Sequence, residues 1–199
     1  MKYILVISML FICLSTNAQD PRFDICPLKV GSDVPEVSIK DKLGQKIELT
    51  ALIGAQPTIL IFYRGAWCGY CIKHLAELND TKQEIETLGY QIFGITIDQS
   101  SKLEISNEKS ESLIDVYSDA TLDATKAFGL DWQVGEETFN KYKKEYNLDL
   151  EEWSGEDHHK LPVPAVYIIK DGKVLFQYVN PQHNTRLKAE TLLAILKTL

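Results

Sequence analysis

Apolar and polar positions alternate along the chain in two rhythms, and the changes of rhythm mark the elements. Residues 58–62, Thr-Ile-Leu-Ile-Phe, form an unbroken β-branched and aromatic run introduced by Pro57, and residues 90–98 hold a second, with Ile92, Phe93, Ile95 and Ile97. Runs without polar alternation fit strands covered on both faces. Between them Cys71, Leu75, Leu78, Ile85 and Leu88 recur at helical spacing, with Lys73, Glu77, Asp80 and Glu84 on the other faces, and Gly89 stands where a left-handed cap ends a helix.

Shorter signals fill the remainder. Strand-like runs at 37–39 and 46–49 flank Asp41-Lys42-Leu43-Gly44-Gln45 and predict an N-terminal hairpin, after which Thr50 caps a brief helix ending near Gly54. Residues 100–109 read as a polar helix, 113–117 as a short strand, and 122–128 as a helix closed by Gly129. Runs at 166–169 and 174–179 around Lys170-Asp171-Gly172-Lys173 predict a second hairpin, and Ala189, Leu192, Leu193, Leu196 and Leu199 line one face of a last helix. Strands alternating with helices imply an α/β fold with a central mixed sheet and helices on both faces.

Two stretches depart from this pattern. Residues 131–161 turn charged: 136–146 is an amphipathic helix, followed by Asp149, Glu151, Glu152, Glu156 and Asp157. This reads as a helical acidic insertion, with a solvated acidic face as its plain interpretation and a lid or partner surface as its functional one. His158 and His159 lie there side by side without further ligands and read as exposed. At the start, Lys2, an apolar run over 3–14, and Ser15, Thr16, Asn17 and Ala18 have the layout of a signal peptide over residues 1–18, cut after Ala18. Its apolar core is short for a bilayer span. A lipoprotein reading at Cys13 is opposed by the branched Ile12 before it. The expectation is an exported protein, periplasmic or extracellular, with residues 19–199 as one domain.

Charge narrows the function. With Lys2 removed, 20 basic residues face 28 acidic ones, a formal charge of −8 that disfavours nucleic acid as a partner. Cleavage also removes Cys13 and leaves Cys26, Cys68 and Cys71, too few for a disulfide scaffold. Cys26 reads as a partner for Cys68 or Cys71, as an intermolecular link or, the reading favoured, as a small buried hydrophobe.

The chemistry gathers in residues 63–71, Tyr-Arg-Gly-Ala-Trp-Cys-Gly-Tyr-Cys, between a strand and a helix. Two cysteines at this spacing can close a disulfide within one helical turn, and a helix N-terminus stabilises a thiolate. The same spacing is half of a zinc site, but only His74 is near and no second ligand pair appears, so neither a metal nor a cofactor is expected.

The order of buried strand, Trp67-Cys68-x-x-Cys71 turn, long helix, and Pro164 before a hairpin strand resembles the thioredoxin fold. In that fold the proline is cis and packs on the disulfide, which the resemblance carries to Pro164. Together with the Tyr117-Ser118-Asp119 and Ala127-Phe128-Gly129-Leu130 segments, the strand and turn from Pro164 to Gly172, and Arg186 before the last helix, the motif resembles the peroxiredoxin-like branch of the AhpC/TSA family over nearly the whole chain. That resemblance implies reduction of hydroperoxides by a cysteine that a thioredoxin-like or other thiol donor regenerates. The peroxiredoxin pattern Pro-x-x-x-Thr-x-x-Cys is altered, however. Arg64 replaces the proline, Cys68 the threonine, Cys71 takes the peroxidatic position, and the family's distant arginine falls at Pro164. Thioredoxin's buried acid falls at Phe62.

Two chemistries follow. In the first, Cys68 or Cys71 attacks a hydroperoxide, becomes a sulfenic acid and condenses with its neighbour, with Arg64 or Arg186 supplying positive charge. In the second, an exposed Cys68 attacks a protein disulfide and the deeper Cys71 resolves it, while Pro164 shapes the groove. Trp67 reads as a shield and flat contact for the pair or as ordinary aromatic packing, Arg64 as a cation lowering a thiolate pKa or as a surface residue at a strand end, and Tyr70 as tuning access. The breadth of the resemblance favours peroxide. A non-enzymatic binding module on the same fold is the third reading.

Overall fold

A computed structural model describes residues 20–199, so the expected signal peptide lies outside the described residues. The centre of the fold is β3 (Thr58–Tyr63), every residue of which is buried. It pairs in parallel with β4 (Gln91–Thr96) and antiparallel with β8 (Ala165–Lys170). With β1 (Ser38–Lys40), β2 (Lys46–Glu48), β5 (Asp115–Ser118) and β9 (Lys173–Val179) these form a seven-stranded mixed sheet in the order β2-β1-β5-β4-β3-β8-β9.

Alternation along β3 builds the core in two halves. Ile59, Ile61 and Tyr63 face a cluster with Cys68, Cys71, Leu75 and Leu78 of α2 (Gly69–Asn79) and Leu192, Leu193 and Leu196 of α8 (Ala189–Leu196). Leu60 and Phe62 face the opposite cluster, with Leu49 and Ile53 of α1 (Leu49–Ile53), Phe128 and Tyr167. Phe62, Phe128 and Tyr167 meet there with centroids 4.8–6.0 Å apart.

The helix expected from Cys71 to Leu88 is broken into α2 and α3 (Lys82–Thr87). Thr81 sits outside helical geometry at φ −104° and ψ 0°, and its hydroxyl donates to the Leu78 carbonyl at 2.9 Å, a local bond that competes with the helical ladder. α1 starts at Leu49, so Thr50 lies inside it instead of capping it. The expected polar helix becomes a short 3-10 turn (Ser100–Lys102) and α4 (Leu103–Ser110), and α5 (Asp123–Ala127) follows as expected.

The acidic stretch is a closed excursion. β6 (Asp131–Gln133) pairs antiparallel with β7 (Lys160–Pro162) at its base, and α6 (Glu136–Glu145) and α7 (Leu150–Ser154) lie between. Its Val134, Leu148, Leu150 and Leu161 form a core with Ile97 and Leu122 of the main fold, against which Trp67, Tyr142 and Trp153 pack, so it is more than a solvated face. His158 and His159 are half-buried, correcting the expectation of exposure: His158 Nε2 lies 2.9 Å from the Ala120 carbonyl and His159 stacks on Phe139 at 3.8 Å.

Two further expectations are corrected. Cys26 is exposed, because it lies in the N-terminal segment running over the outside of the fold, where its carbonyl abuts Gly129. The bond before Pro164 is trans, as are all peptide bonds among the described residues. Trans is favoured by about 0.5–1 kcal/mol even before proline. The segment is held on both sides, Val163 N–H on the Leu130 carbonyl at 2.8 Å and Asn180 N–H on the Pro164 carbonyl at 3.2 Å.

Candidate functional site

β3 delivers the chain to the surface of the sheet, and residues 64–67 turn it into α2. Gly65 is required in that turn: at φ +152° a Cβ would lie 2.6 Å from Asp98 Oδ1 and collide with the Trp67 indole nitrogen. Cys68 takes the N-cap position of α2 in extended geometry, and the Cys71 and Ile72 N–H groups bond its carbonyl at 2.8 and 3.0 Å. The cysteines therefore share the first turn. Both are thiols with Sγ atoms 2.6 Å apart. Cys68, expected to be exposed, is buried with 5% of its surface accessible and Cys71 with 1%, because Trp67 packs over the turn.

Cys71 is the sulfur with the positive surroundings. Arg186 Nη2 approaches its Sγ at 3.3 Å. Burial pushes the Cys71 thiol up, but hydrogen bonding from Cys68, the Arg186 charge, a backbone bond from Arg64 and the Arg64 charge together bring it down to about 6. Cys68 moves the other way, raised first by its hydrogen bond to Cys71 and then by burial. The pair thus favours a single negative charge, which the Arg186 guanidinium draws toward the deeper sulfur.

Of the residues singled out in the sequence, Arg64, Trp67, Cys68 and Tyr70 line one cleft of about 830 Å³. Arg64 is buried, contrary to a surface strand-end position, because its guanidinium packs beside both Trp67 and Tyr142, 4.8 and 5.7 Å from their rings, and donates to the Tyr142 hydroxyl at 2.8 Å. Tyr70 is exposed and meets His183 edge-on at 5.8 Å. Pro164 is set apart from that cleft, lining a small apolar space with Phe62, His74 and Arg186.

The structure adds groups that sequence reasoning missed. Asp98, at the end of the strand-like run 90–98, is fully buried and its Oδ2 accepts the Ala66 N–H at 2.7 Å. Burial, against the Ala66 bond and with the Cys71 charge, raises it to about 7. The Trp67 N–H lies close by, yet Asp98 Oδ1 completes no hydrogen bond. A carboxylate closing an apolar run was a readable signal. Tyr142 was not, being one of several aromatics on a charged helix. His74 is buried with Nε2 2.9 Å from the Leu187 carbonyl, and burial lowers it to about 4, so it is neutral and steadies the segment carrying Arg186. His183 is lowered by burial and by Arg64, Arg22 and Arg186, three guanidinium groups near one ring.

A buried thiolate flanked by a thiol and by arginines can give up two electrons and form a disulfide without moving the backbone. Comparison with known proteins agrees with this chemistry. Residues 30–177 match the model of the AhpC/TSA family. Peroxiredoxin Bcp of Escherichia coli (strain K12) is 31% identical over 113 residues, covering 57% of this chain and 70% of the relative. Thiol-disulfide oxidoreductase ResA of Bacillus thuringiensis (strain Al Hakam) is 22% identical over 130 residues, covering 59% of this chain and 74% of the relative. The solved structure of reduced Prx3 from Vibrio vulnificus in complex with hydrogen peroxide superposes with a TM-score of 0.69 at 17% identity, covering 85% of this chain and 99% of the other, which shows a shared fold. By sequence motif, architecture and family match, the chain belongs to the AhpC/TSA family.

Proposed function

We propose that this protein is an exported thiol peroxidase in which Cys71 is the peroxidatic residue and Cys68 resolves it. The observation that carries the reading is Arg186 Nη2 at 3.3 Å from Cys71 Sγ, which supplies from the approach to α8 the cation that the family's usual position, here Pro164, lacks. The Cys71 thiolate attacks the terminal oxygen of a hydroperoxide, the O–O bond breaks, and the alcohol or water leaves with a proton. Cys71 is then a sulfenic acid. Cys68 attacks that sulfur and expels water, forming the Cys68–Cys71 disulfide, and two equivalents of a donor thiol restore the dithiol. Arg186 also lines a surface hollow of about 240 Å³ with Tyr70, His74 and Asn184, so the cation that touches Cys71 also faces solvent.

Stopped-flow mixing of the reduced protein with hydrogen peroxide, cumene hydroperoxide and a protein disulfide tests this. Rapid oxidation is expected in the wild type and in Cys68→Ser, which stops at sulfenic acid, and none in Cys71→Ser. Oxidation no faster than that of a free thiol would sink the peroxidase reading.

A second reading, thiol-disulfide exchange, is favoured by Cys68 facing the 830 Å³ cleft with Trp67 and Tyr70. A protein disulfide reacting fast while peroxide does not would establish it, and inertness toward both with partner binding intact would point to a binding module. Export rests on residues 1–18 and is checked by the N-terminal sequence of the protein secreted from cells, expected to begin at Gln19.

A further inference from the structure

Arg64 and Arg186 are the guanidinium groups beside the cysteine pair. Among the described residues neither takes part in an ion pair. The Nε of each is buried without a hydrogen-bond partner, and only 6% of the Arg64 surface is exposed. Arg22, the other guanidinium near His183, is already paired with Asp20. In the reduced protein the two arginines are offset by the thiolate of Cys71, which Arg186 touches. Oxidation removes that charge. The disulfide is neutral, so Arg64 is left with two ring faces and a hydroxyl and Arg186 with a carbonyl and solvent, and neither has an anion, an arrangement that costs most for the buried Arg64.

We infer that in the oxidised protein Arg64 and Arg186 receive an anion, and that the thiol reducing the Cys68–Cys71 disulfide carries a carboxylate placed to fill that role. The inference builds on the cycling of the pair in the proposed function and names the class of electron donor. The donor enters by the cleft whose wall includes Arg64, Cys68, Tyr70 and His183, and Arg186 lines the neighbouring hollow that shares Tyr70 with it. Its thiolate attacks Cys68, the Cys68–Cys71 bond breaks, and Cys71 leaves as the thiolate that Arg186 holds. A second donor thiolate attacks the mixed disulfide, releasing the donor's own disulfide and Cys68, which takes a proton from water. Two donor thiols are oxidised and one protein disulfide is reduced.

Charge makes the test sharp, because the protein as a whole bears −7 and at long range repels an anion. The oxidised full-length protein, prepared with diamide, is reduced by mercaptoacetate, 2-mercaptoethanol and cysteamine, with rates expressed per thiolate and divided by those for bis(2-hydroxyethyl) disulfide. Mercaptoacetate is expected to exceed cysteamine by about tenfold, equal to about 1.4 kcal/mol. The preference is expected to collapse in Arg64→Gln and Arg186→Gln and to persist in Arg64→Lys. A wild-type ratio at or below that of the reference disulfide overturns the inference, as does a preference that survives both glutamine variants. The wild-type ratio decides the matter even if a variant fails to fold. Because diamide replaces peroxide, a protein inert to peroxide that still favours mercaptoacetate would refute the peroxidase reading alone. A protein oxidised by peroxide that shows no preference would refute this inference alone.

Discussion

The charge on Cys71 is set by single residues, and their removal has opposite signs. Arg186 lies 3.3 Å from the sulfur and favours the thiolate. Arg186→Gln is expected to raise the thiolate pKa from about 6, measured by absorbance at 240 nm, and to slow peroxide oxidation at pH 6–7 more than at pH 9, where the thiol ionises anyway. Asp98 works against folding at neutral pH. Its carboxyl is raised from 3.8 to about 7, first by burial, so the unfolded chain releases its proton before the folded one does. Stability from this group is complete below pH 3.8 and is lost as pH rises through 7. In denaturant titrations Asp98→Asn is expected to lose less stability than the wild type between pH 4 and 7, with the Ala66 N–H still bonded by the amide oxygen. Equal slopes would show that Asp98 is not withdrawn from water as described. The cysteine pair was legible from its spacing alone, since two residues between them fix a shared helical turn. His183 was not, because the groups that shift it come from distant parts of the chain, and of Asp98 only its place at the end of an apolar run was legible, not the burial that raises it.

At the level of elements, the excursion between β6 and β7 reaches into the site through Tyr142, which holds Arg64 at 2.8 Å, and through Trp67, which packs on its core. Leu150 is buried in that small core. Leu150→Ala is expected to cost about 2–5 kcal/mol, the range for deleting a buried leucine to alanine. Hydrogen exchange is expected to show protection lost over α6 and α7 and kept over β3 and β4. Loss spread evenly over the sheet would mean that the excursion is not a separate unit. β3 and β4 could be read from sequence because strands covered on both faces are apolar at every position. The paired β6 and β7 could not: each has three residues, and their pairing spans the entire acidic stretch. The break between α2 and α3 escaped notice because Leu75, Leu78, Ile85 and Leu88 keep helical spacing across it while one threonine hydroxyl takes a ladder carbonyl.

For the whole molecule, the same thiolate links redox state to global stability. The sheet order places β3 between β4 and β8, so the turn bearing Cys68 and Cys71 grows from a wholly buried strand. When reduced, the folded protein has an anion opposite Arg186, whereas the unfolded dithiol gains nothing comparable in water. When oxidised, the folded protein keeps the cations and loses the anion. The folded-state pKa of Cys71, lowered from 9 to about 6, contributes stability that is lost as pH falls from 9 through 6, while Cys68, shifted up by its bond to Cys71, takes stability back only as pH rises above 9. The reduced protein is therefore expected to resist denaturant better than the oxidised one at pH 8.5, by a smaller margin at pH 7, and with little of that margin left at pH 5.5. A disulfide closing so short a loop offsets this only weakly through the unfolded chain, because the constraint grows with loop length. Stabilising the reduced form in this way makes the disulfide a strong oxidant, as protein thiols with low pKa values are. Denaturation of both redox forms at the three pH values checks the linkage directly. An oxidised protein more stable than the reduced one at pH 8.5 would show that the charge on Cys71 is not balanced by Arg186 and Arg64.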